Sequence, residues 1–148
     1  MNAVANRLYL RLARPGDADA IAGLMTLLGY PVEAGETAGR LERLLRHPDA
    51  AVLVGGLEDG PVQGCLALHF IPQLGLAGDF CRIAYFSVAP AAQGQGLGRA
   101  LEAEATRLAQ QRGCDRIEVH SHERRHGAHV FYRRRGYEES PRYLIRRP

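Results

Sequence analysis

Three glycines at alternate positions form the part of this chain that is best suited to bind an anion. They lie in the run Gln93-Gly94-Gln95-Gly96-Leu97-Gly98-Arg99, between a strand-like segment ending at Val88 and a helical apolar pattern. A helix N-terminus has unpaired N–H groups and partial positive charge, and glycines leave those groups open to a phosphate. The segment therefore predicts a phosphate-binding loop, although a tight turn at positive φ would also use glycine.

The spacing of these glycines narrows the phosphate ligand. A P-loop needs Gly-Lys-Ser/Thr, and this chain has no lysine, since all 19 of its basic residues are arginine. A dinucleotide fingerprint needs G-x-G-x-x-G, whereas Gly94, Gly96 and Gly98 stand two residues apart. Glu118 follows Gly98 at the distance of a ribose-binding acid, but it lies inside a predicted strand rather than at its end. A different phosphate ligand is therefore expected.

Two segments together resemble the GCN5-related N-acetyltransferase family. Gln93-x-x-Gly96-x-Gly98 is similar to its Q/R-x-x-G-x-G/A coenzyme A loop, and Ser87-Val88-Ala89-Pro90 is similar to its strand-to-loop entry. The segment from His126 to Tyr137 resembles the family's Ala-x-x-Phe-Tyr-x-x-x-Gly-Phe/Tyr pattern. The resemblance implies the acetyltransferase fold. It also implies transfer of an acetyl group from acetyl-CoA to an amine by direct attack in a ternary complex.

The same resemblance implies roles for individual residues. Tyr132 would be the acid that protonates the departing thiolate. A backbone N–H near Val88 would polarise the thioester carbonyl, and a β-bulge in the 80–88 strand would open the space for it. The residues expected to contact acetyl-CoA are Ser87, Val88, Gln93, Gly94, Gln95, Gly96, Leu97, Gly98, Arg99 and Phe131.

The base that deprotonates the amine has several candidates. The family often has a glutamate on the fourth strand, but residues 82–87 contain no acid here. His69, His120, Glu118 and an ordered water chain are the alternatives. His120 is preferred because it ends a predicted strand, and an imidazole pKa of about 6.5 suits a base. Arg125 stands where many members have an asparagine, seven residues before the tyrosine.

The C-terminal part of the chain is basic. Residues 116–148 hold nine arginines against four acids, which suggests an anionic partner. The run Arg133-Arg134-Arg135 beside Tyr132 has the composition of a nucleic-acid patch. Consecutive residues on a helix point in three directions, however, so a solvated face or a single contact with a cofactor phosphate is preferred.

Histidine and cysteine usage predicts neither a metal site nor disulfides. The histidine-rich stretch lacks an acid or cysteine to complete a ligand set, and its members are His120, His122, His126 and His129. Cys65, Cys81 and Cys114 have no CxxC spacing and are expected to be buried reduced thiols. With no signal-peptide pattern and no apolar run of membrane-spanning length, a cytoplasmic protein is expected.

Periodicity predicts one α/β domain of the α+β type over residues 1–148. Alternating or continuous apolar residues predict strands at 8–12, 51–54, 62–70, 80–88 and 116–120, and Tyr137 and Tyr143–Ile145 suggest final short strands. Helical spacing predicts helices at 17–29, 34–46, 97–112 and 128–135, the second with Leu41, Leu44 and Leu45 inward. The order β-α-α-β-β-β-α-β-α-β(β) implies a mixed sheet of about six to seven strands flanked by about four helices.

The sequence thus predicts an acetyl-CoA-dependent N-acetyltransferase that acts on the primary amine of a small molecule or peptide. Two alternatives stay open: a non-catalytic acetyl-CoA- or partner-binding module of the same fold, and an RNA-directed acetyltransferase. No membrane partner is expected, nucleic acid is disfavoured, and a homodimer is allowed. The acceptor is expected to be selected by residues 30–40, 72–78 and 138–143.

Overall fold

The computed structural model describes residues 7–120, 126–140 and 144–148. Its strands are β1 Leu8–Leu12, β2 Ala50–Leu57, β3 Gly64–Pro72, β4 Asp79–Val88 and β5 Ile117–Val119. Its helices are α1 Ala18–Leu27, α2 Ala34–Arg46, α3 Leu97–Gln111 and α4 His126–Arg134. The predicted order of strands and helices is therefore confirmed as far as α4.

The chain divides into two compact units, Met1–Glu118 and Val119–Pro148. The first contains β1 to β4 and α1 to α3, and the second contains α4 and the C-terminal residues. The expectation of a single domain stays a prediction. Within the described ranges, no helix has both the length and the apolar character needed to cross a bilayer.

One sheet contains the strands in the order β1-β2-β3-β4-β5. The neighbours from β1 to β4 are antiparallel. The chain that enters β5 runs parallel to β4, because the Asp115 N–H donates to Asp79 O and the Cys81 N–H donates to Arg116 O. Residue numbers then rise together along both segments, as in a parallel pair. The predicted mixed sheet is confirmed.

The final strands predicted at the C-terminus are wrong where the structure describes them. Tyr137, Leu144 and Ile145 lie outside any strand, so the described sheet has five strands rather than six or seven. The Tyr137 N–H instead donates to Tyr132 O at 3.0 Å and closes α4 through Gly136 at φ +91°. An alternating apolar pattern makes a strand only where a neighbouring strand pairs with it. Tyr143 lies outside the described residues.

Alternation along the strands gives the sheet two apolar faces. α1 and α2 pack on one face, against Val52, Val54, Cys65 and Ala67. α3 packs on the opposite face, where the fully buried side chains include Leu66, Leu68, Leu97 and Leu101.

The inward face of α2 is narrower than predicted. Leu41 is buried and Leu44 packs against the core, but Leu45 is exposed. At 3.6 residues per turn, Leu44 and Leu45 lie on opposite sides of Leu41, at about 60° and 40°. The core continues on the Leu44 side and not on the Leu45 side, so the prediction that Leu45 faces inward is wrong.

α3 approaches the sheet over two glycines. Gly55 and Gly64 are cross-strand partners on β2 and β3. A Cβ on Gly64 would lie 2.9 Å from Leu101 Cδ1 and 3.0 Å from Leu97 Cδ2, and a Cβ on Gly55 would lie 2.7 Å from Tyr9 O. Only glycine allows so close an approach. Because Leu97 is the first residue of α3, this pair sets where the helix begins.

We expect Gly55→Ala to lower the free energy of unfolding by about 1–3 kcal/mol, as overpacking typically does. The added methyl group meets backbone at Tyr9 as well as the Leu97 side chain, which lies 3.1 Å away. Urea denaturation measures the change. Gly39→Ala on α2 is the matched control, because a Cβ there has no neighbour within 4 Å. That control is expected to stabilise the helix slightly, and equal destabilisation by both variants would contradict the close-approach argument.

Candidate functional site

The glycine-rich loop turns the chain from β4 into the N-terminus of α3. Gly94 has φ +76° and Gly96 has φ +88°, so both take the left-handed conformation that side chains disfavour. Gly98 lies inside the first turn of α3. The turn therefore accounts for two of the three glycines but not for Gly98.

The space above the two left-handed glycines is open. A Cβ on Gly94 would have no neighbour within 4 Å, and one on Gly96 would meet only Leu8 Cδ1, at 4.0 Å. No side chain caps the helix at Gly96, and the first turn contains no acid. The N–H groups of Leu97, Gly98 and Arg99 have no acceptor within the helix. A pyrophosphate fits these features, because the helix end supplies donors and partial positive charge.

Side chains of the loop brace it rather than block it. Gln93 Nε2 donates to Val88 O at 3.2 Å, and Gln95 Nε2 donates to Ala91 O at 3.1 Å. Leu97 is 1% exposed, so its side chain belongs to the core and the residue could offer a ligand only its backbone N–H. The Arg99 side chain is exposed and pairs with no acid of the described chain.

A β-bulge interrupts β4 four residues before the strand ends at Val88. Ala67 pairs with Tyr85 and Leu68 pairs with Ile83, so Ala84 is the extra residue. The bulge predicted within residues 80–88 is therefore confirmed. After it, the Ala89 N–H donates to Gln63 O, so the Val88 N–H points to the other edge of β4.

Ser87 joins the end of β4 to the end of α1. Its hydroxyl is buried and donates to Leu24 O at 3.0 Å. The Ser87 side chain is therefore committed to the fold, and any contact with a cofactor falls to its backbone. Gly29, at φ +102°, ends α1 just beyond, and the Tyr30 N–H donates to Met25 O.

Beyond the bulge, the α1/α2 side of β3 and β4 carries polar and aromatic side chains. Directly paired residues share a face, and the register pairs Ala67 with Tyr85 and His69 with Arg82. Ala67 belongs to the core under α1 and α2, so all four side chains lie on that side of the sheet. Tyr85 is 42% exposed and meets the Tyr30 ring edge-on at 5.4 Å. The sequence analysis did not predict this face. The one sequence feature that indicated it is Arg82, an arginine within an otherwise apolar strand.

Two of the candidate bases lie on or beside this face, and their charge states differ. Burial, His47 and Arg82 lower the pKa of His69, so its imidazole is neutral at neutral pH. Burial raises the pKa of Glu118, but hydrogen bonds from Arg116 and Arg82 outweigh it and leave that pKa below its usual value. Glu118 is therefore a weak proton acceptor.

Comparison with known proteins agrees with the loop geometry. The profile of the acetyltransferase (GNAT) family matches residues 22–137 of this chain. The chain belongs to that family. It is 36% identical over 84 residues to the aminoalkylphosphonate N-acetyltransferase of Salmonella typhimurium, a match that covers 57% of this chain and 54% of the relative. The match thus spans about half of the relative's length.

Solved structures show the GNAT fold over almost the whole chain. A transcriptional regulator from Bacillus halodurans C-125 matches with a TM-score of 0.86 and 24% identity, over 95% of this chain and 99% of the other. The aminoglycoside N-acetyltransferase AAC(6')-Iy in complex with CoA matches with a TM-score of 0.85 and 15% identity, over 100% and 99%. The acetyltransferase fold predicted from the sequence is therefore confirmed.

The second GNAT segment forms α4 in the C-terminal unit. Its Phe131 and Tyr132 rings meet edge-on at 5.5 Å, and Tyr132 meets Tyr137 in the same way at 5.3 Å. These contacts hold the Tyr132 ring between two aromatic neighbours. His120 is exposed and lies in the same unit. The roles of Tyr132, His120 and Phe131 stay predictions.

The arginine run on α4 of this GNAT protein does not form one charged row. Arg133 donates to Glu139 at 2.6 Å, and Arg135 is half-buried while Arg134 is exposed.

Within the described ranges, no group of three histidine, cysteine or acidic side chains is arranged to hold a metal. His122 and Arg125, which the sequence analysis singled out, lie outside the described residues. All three cysteines are free thiols, as predicted. Cys65 and Cys81 are buried, but Cys114 is half-buried rather than buried.

We expect Gly96→Asp to weaken CoA binding by more than about tenfold, because it places a carboxylate beside the phosphate donors. Isothermal titration calorimetry with CoA measures the affinity. Gly96→Asn separates charge from shape, since asparagine tolerates positive φ and has nearly the same size; it should weaken binding less.

Gly75→Asp is the matched control for that charge. Its Cβ would meet nothing within 4 Å, in the segment between β3 and β4. Unchanged CoA affinity in Gly96→Asp, or an equal loss in Gly75→Asp, would overturn the assignment of the loop.

Proposed function

We propose that this protein is an acetyl-CoA-dependent N-acetyltransferase that acetylates the primary amine of a small molecule or peptide. The observation that carries the proposal is the open helix end of α3, where Gly94 and Gly96 leave backbone donors accessible. Membership of the GNAT family supports it, and so does the similar fold of AAC(6')-Iy, which was solved with CoA. The prediction of a cytoplasmic location rests on the free cysteines.

The loop would hold the coenzyme through its backbone. The N–H groups from Gly94 to Arg99 would bind the pyrophosphate, whereas the Gln93 N–H already donates to Pro90 O. The exposed Arg99 guanidinium would add a charged contact. Ser87 and Val88 would contribute main-chain groups at the thioester end. The Val88 N–H, which points away from β3, would donate to the carbonyl oxygen as negative charge develops there.

Acetyl transfer then needs an acid and a base. The acceptor nitrogen attacks the thioester carbonyl, a C–N bond forms, and the C–S bond breaks. The Tyr132 hydroxyl would donate its proton to the departing sulfur, and His120 or a water chain would take the proton that the amine loses. The lowered pKa of Glu118 disfavours that residue as the base. Phe131 would contribute an apolar contact to the coenzyme.

The acceptor is proposed at the level of chemical class. The matched Salmonella protein is named for aminoalkylphosphonates, and this name suggests small aliphatic amines for a first panel. Peptide N-termini and polyamines complete the panel, because the sequence does not choose between small molecules and peptides. The homodimer allowed by the sequence stays a prediction.

We expect the purified protein to release free CoA thiol from acetyl-CoA only when a suitable primary amine is present. A thiol-reactive dye follows the reaction, and mass spectrometry identifies the acetylated amine. Tight CoA binding without thiol release across the whole panel would reject the enzyme and favour the binding-module alternative. RNA binding that weakens steeply with salt would favour the RNA-directed alternative.

We expect Tyr132→Phe to lower kcat by about 10²-fold or more and to leave CoA affinity unchanged, since only the proton donor is lost. Tyr137→Phe is the matched control, because it removes a hydroxyl from the neighbouring ring and leaves the aromatic contact in place. Wild-type turnover in Tyr132→Phe, or an equal loss in Tyr137→Phe, would remove the acid role from Tyr132.

A further inference from the structure

Arg82 places a cation on the open side of β4 that the protein pairs only weakly. Its side chain is 39% exposed, and its nearest acid is Glu118, at 3.4 Å from Nη2. Glu118 is already held by Arg116 at 2.7 Å. A well-formed contact between a guanidinium and a carboxylate measures about 2.7–2.9 Å. The Glu118 carboxylate therefore pairs mainly with Arg116. Its pairing with Arg82 is weak, so the Arg82 guanidinium can bind another anion.

A second observation concerns the Nε of Arg82. Its Nε is buried and makes no hydrogen bond to any described residue. A buried donor without an acceptor costs about 1–3 kcal/mol, so each such group in a folded protein requires an explanation. An arginine kept in this condition on a half-open face is explained if its partner arrives with a ligand.

The neighbours of Arg82 suit a single negative group. The Phe80 ring lies under the guanidinium at 5.4 Å and limits the water around it. His69 is the cross-strand partner of Arg82 and is neutral, so it adds hydrogen-bonding capacity without a second full charge. Tyr85 and Tyr30 form an aromatic wall one pair further along the strands.

The position of Arg82 relates this cation to the glycine loop. Along the same face of β4, the order from the loop is Ser87, Tyr85 and Arg82, with the bulge at Ala84 between the last two. Tyr85 and Arg82 therefore share one face of the strand that leads into the glycine loop. All of these residues belong to the unit Met1–Glu118.

We propose that Arg82 binds an acid group carried by the acceptor, so that the acceptors are small amines that also carry a carboxylate or phosphonate. The inference rests on the proposed acetyltransferase function and names its substrate class. A charge-assisted hydrogen bond to a partly buried arginine favours such acceptors over uncharged amines of the same size.

Steady-state kinetics with matched acceptors tests the proposal. The acceptors are aminomethylphosphonate, glycine and ethylamine, which share a short aliphatic amine and differ in the acid group. The wild-type protein should give a higher kcat/KM for at least one of the two acids than for ethylamine. Arg82→Gln should lower that kcat/KM by roughly 10- to 100-fold and leave ethylamine unchanged. Whichever acid shows the preference identifies carboxylate or phosphonate as the preferred group.

Two further variants sharpen the result. Arg107→Gln removes an exposed arginine of α3 that pairs with Glu104, and it should leave all three acceptors unchanged. Glu118→Gln removes the weak partner of Arg82, so it should raise kcat/KM for the preferred acid and not for ethylamine. Melting temperatures of the variants verify that each one is folded.

Binding separates this inference from the proposed function. Isothermal titration of aminomethylphosphonate and glycine into the CoA complex should give measurable affinity for the wild type and a roughly 10- to 100-fold loss in Arg82→Gln, even if no amine is acetylated. Failure of every amine to react would reject the proposed function alone. Equal treatment of ethylamine and both acids by the wild type, or an equal loss of all three acceptors in Arg82→Gln, would overturn the role of Arg82.

Discussion

The close approach of Leu97 to the sheet fixes the position of the glycine loop. Leu97 is the first residue of α3 and is nearly fully buried above Gly55 and Gly64. Its side chain belongs to the core, while its backbone N–H belongs to the open helix end. Packing of one residue therefore determines where the anion-binding donors lie. A larger residue at either glycine would move the donors together with the helix.

β4 transmits the same constraint to the other side of the sheet. Val88 pairs with Gly64 in register, and Gln93 returns to the Val88 carbonyl. The neighbouring Ser87 hydroxyl holds the last turn of α1 at Leu24. The segment from β4 to α3 is therefore tied to both faces of the sheet within a few residues, and the end of α1 that leads to Tyr30 is tied to the same strand.

Much of the fold follows from local sequence signals. α2 begins and ends where predicted, because its leucines repeat with helical spacing and Pro48 follows His47 directly. The glycine loop could be predicted because the partial positive charge and free N–H groups of a helix N-terminus attract phosphate in any fold. The prediction of final strands was wrong, because Leu144 and Ile145 are apolar residues typical of a strand, but strand pairing depends on residues distant in the chain.

The open face could not be predicted, because it depends on the position of a single bulge. Simple alternation would put Arg82 and Tyr85 on opposite sides of β4. The extra residue at Ala84 reverses the alternation and brings both to the α1/α2 side. A sequence can suggest that a strand bulges, but the register that locates the bulge comes from the partner strand. The surroundings of the candidate base His120 could not be predicted either. Its position at a strand end predicts that it is exposed but not which residues lie beside it.

The pairing of the arginines distinguishes structural charges from charges left for ligands. Arg11 is bound by Asp17 through two nitrogens, Arg112 pairs with Asp49, and Arg116 pairs with Asp115 and Glu118. Arg99 at the loop has no acid partner in the described chain, and Arg82 shares one with a better-placed neighbour. These two lie on one continuous segment, so the hydrogen bonds and packing that hold β4, the loop and the start of α3 set the spacing between the proposed cation for acetyl-CoA and the proposed cation for the acceptor. Both cations are arginines, and a guanidinium binds carboxylates and phosphates through a planar fork of donors with a fixed direction. The direction of each guanidinium therefore limits where its ligand can lie.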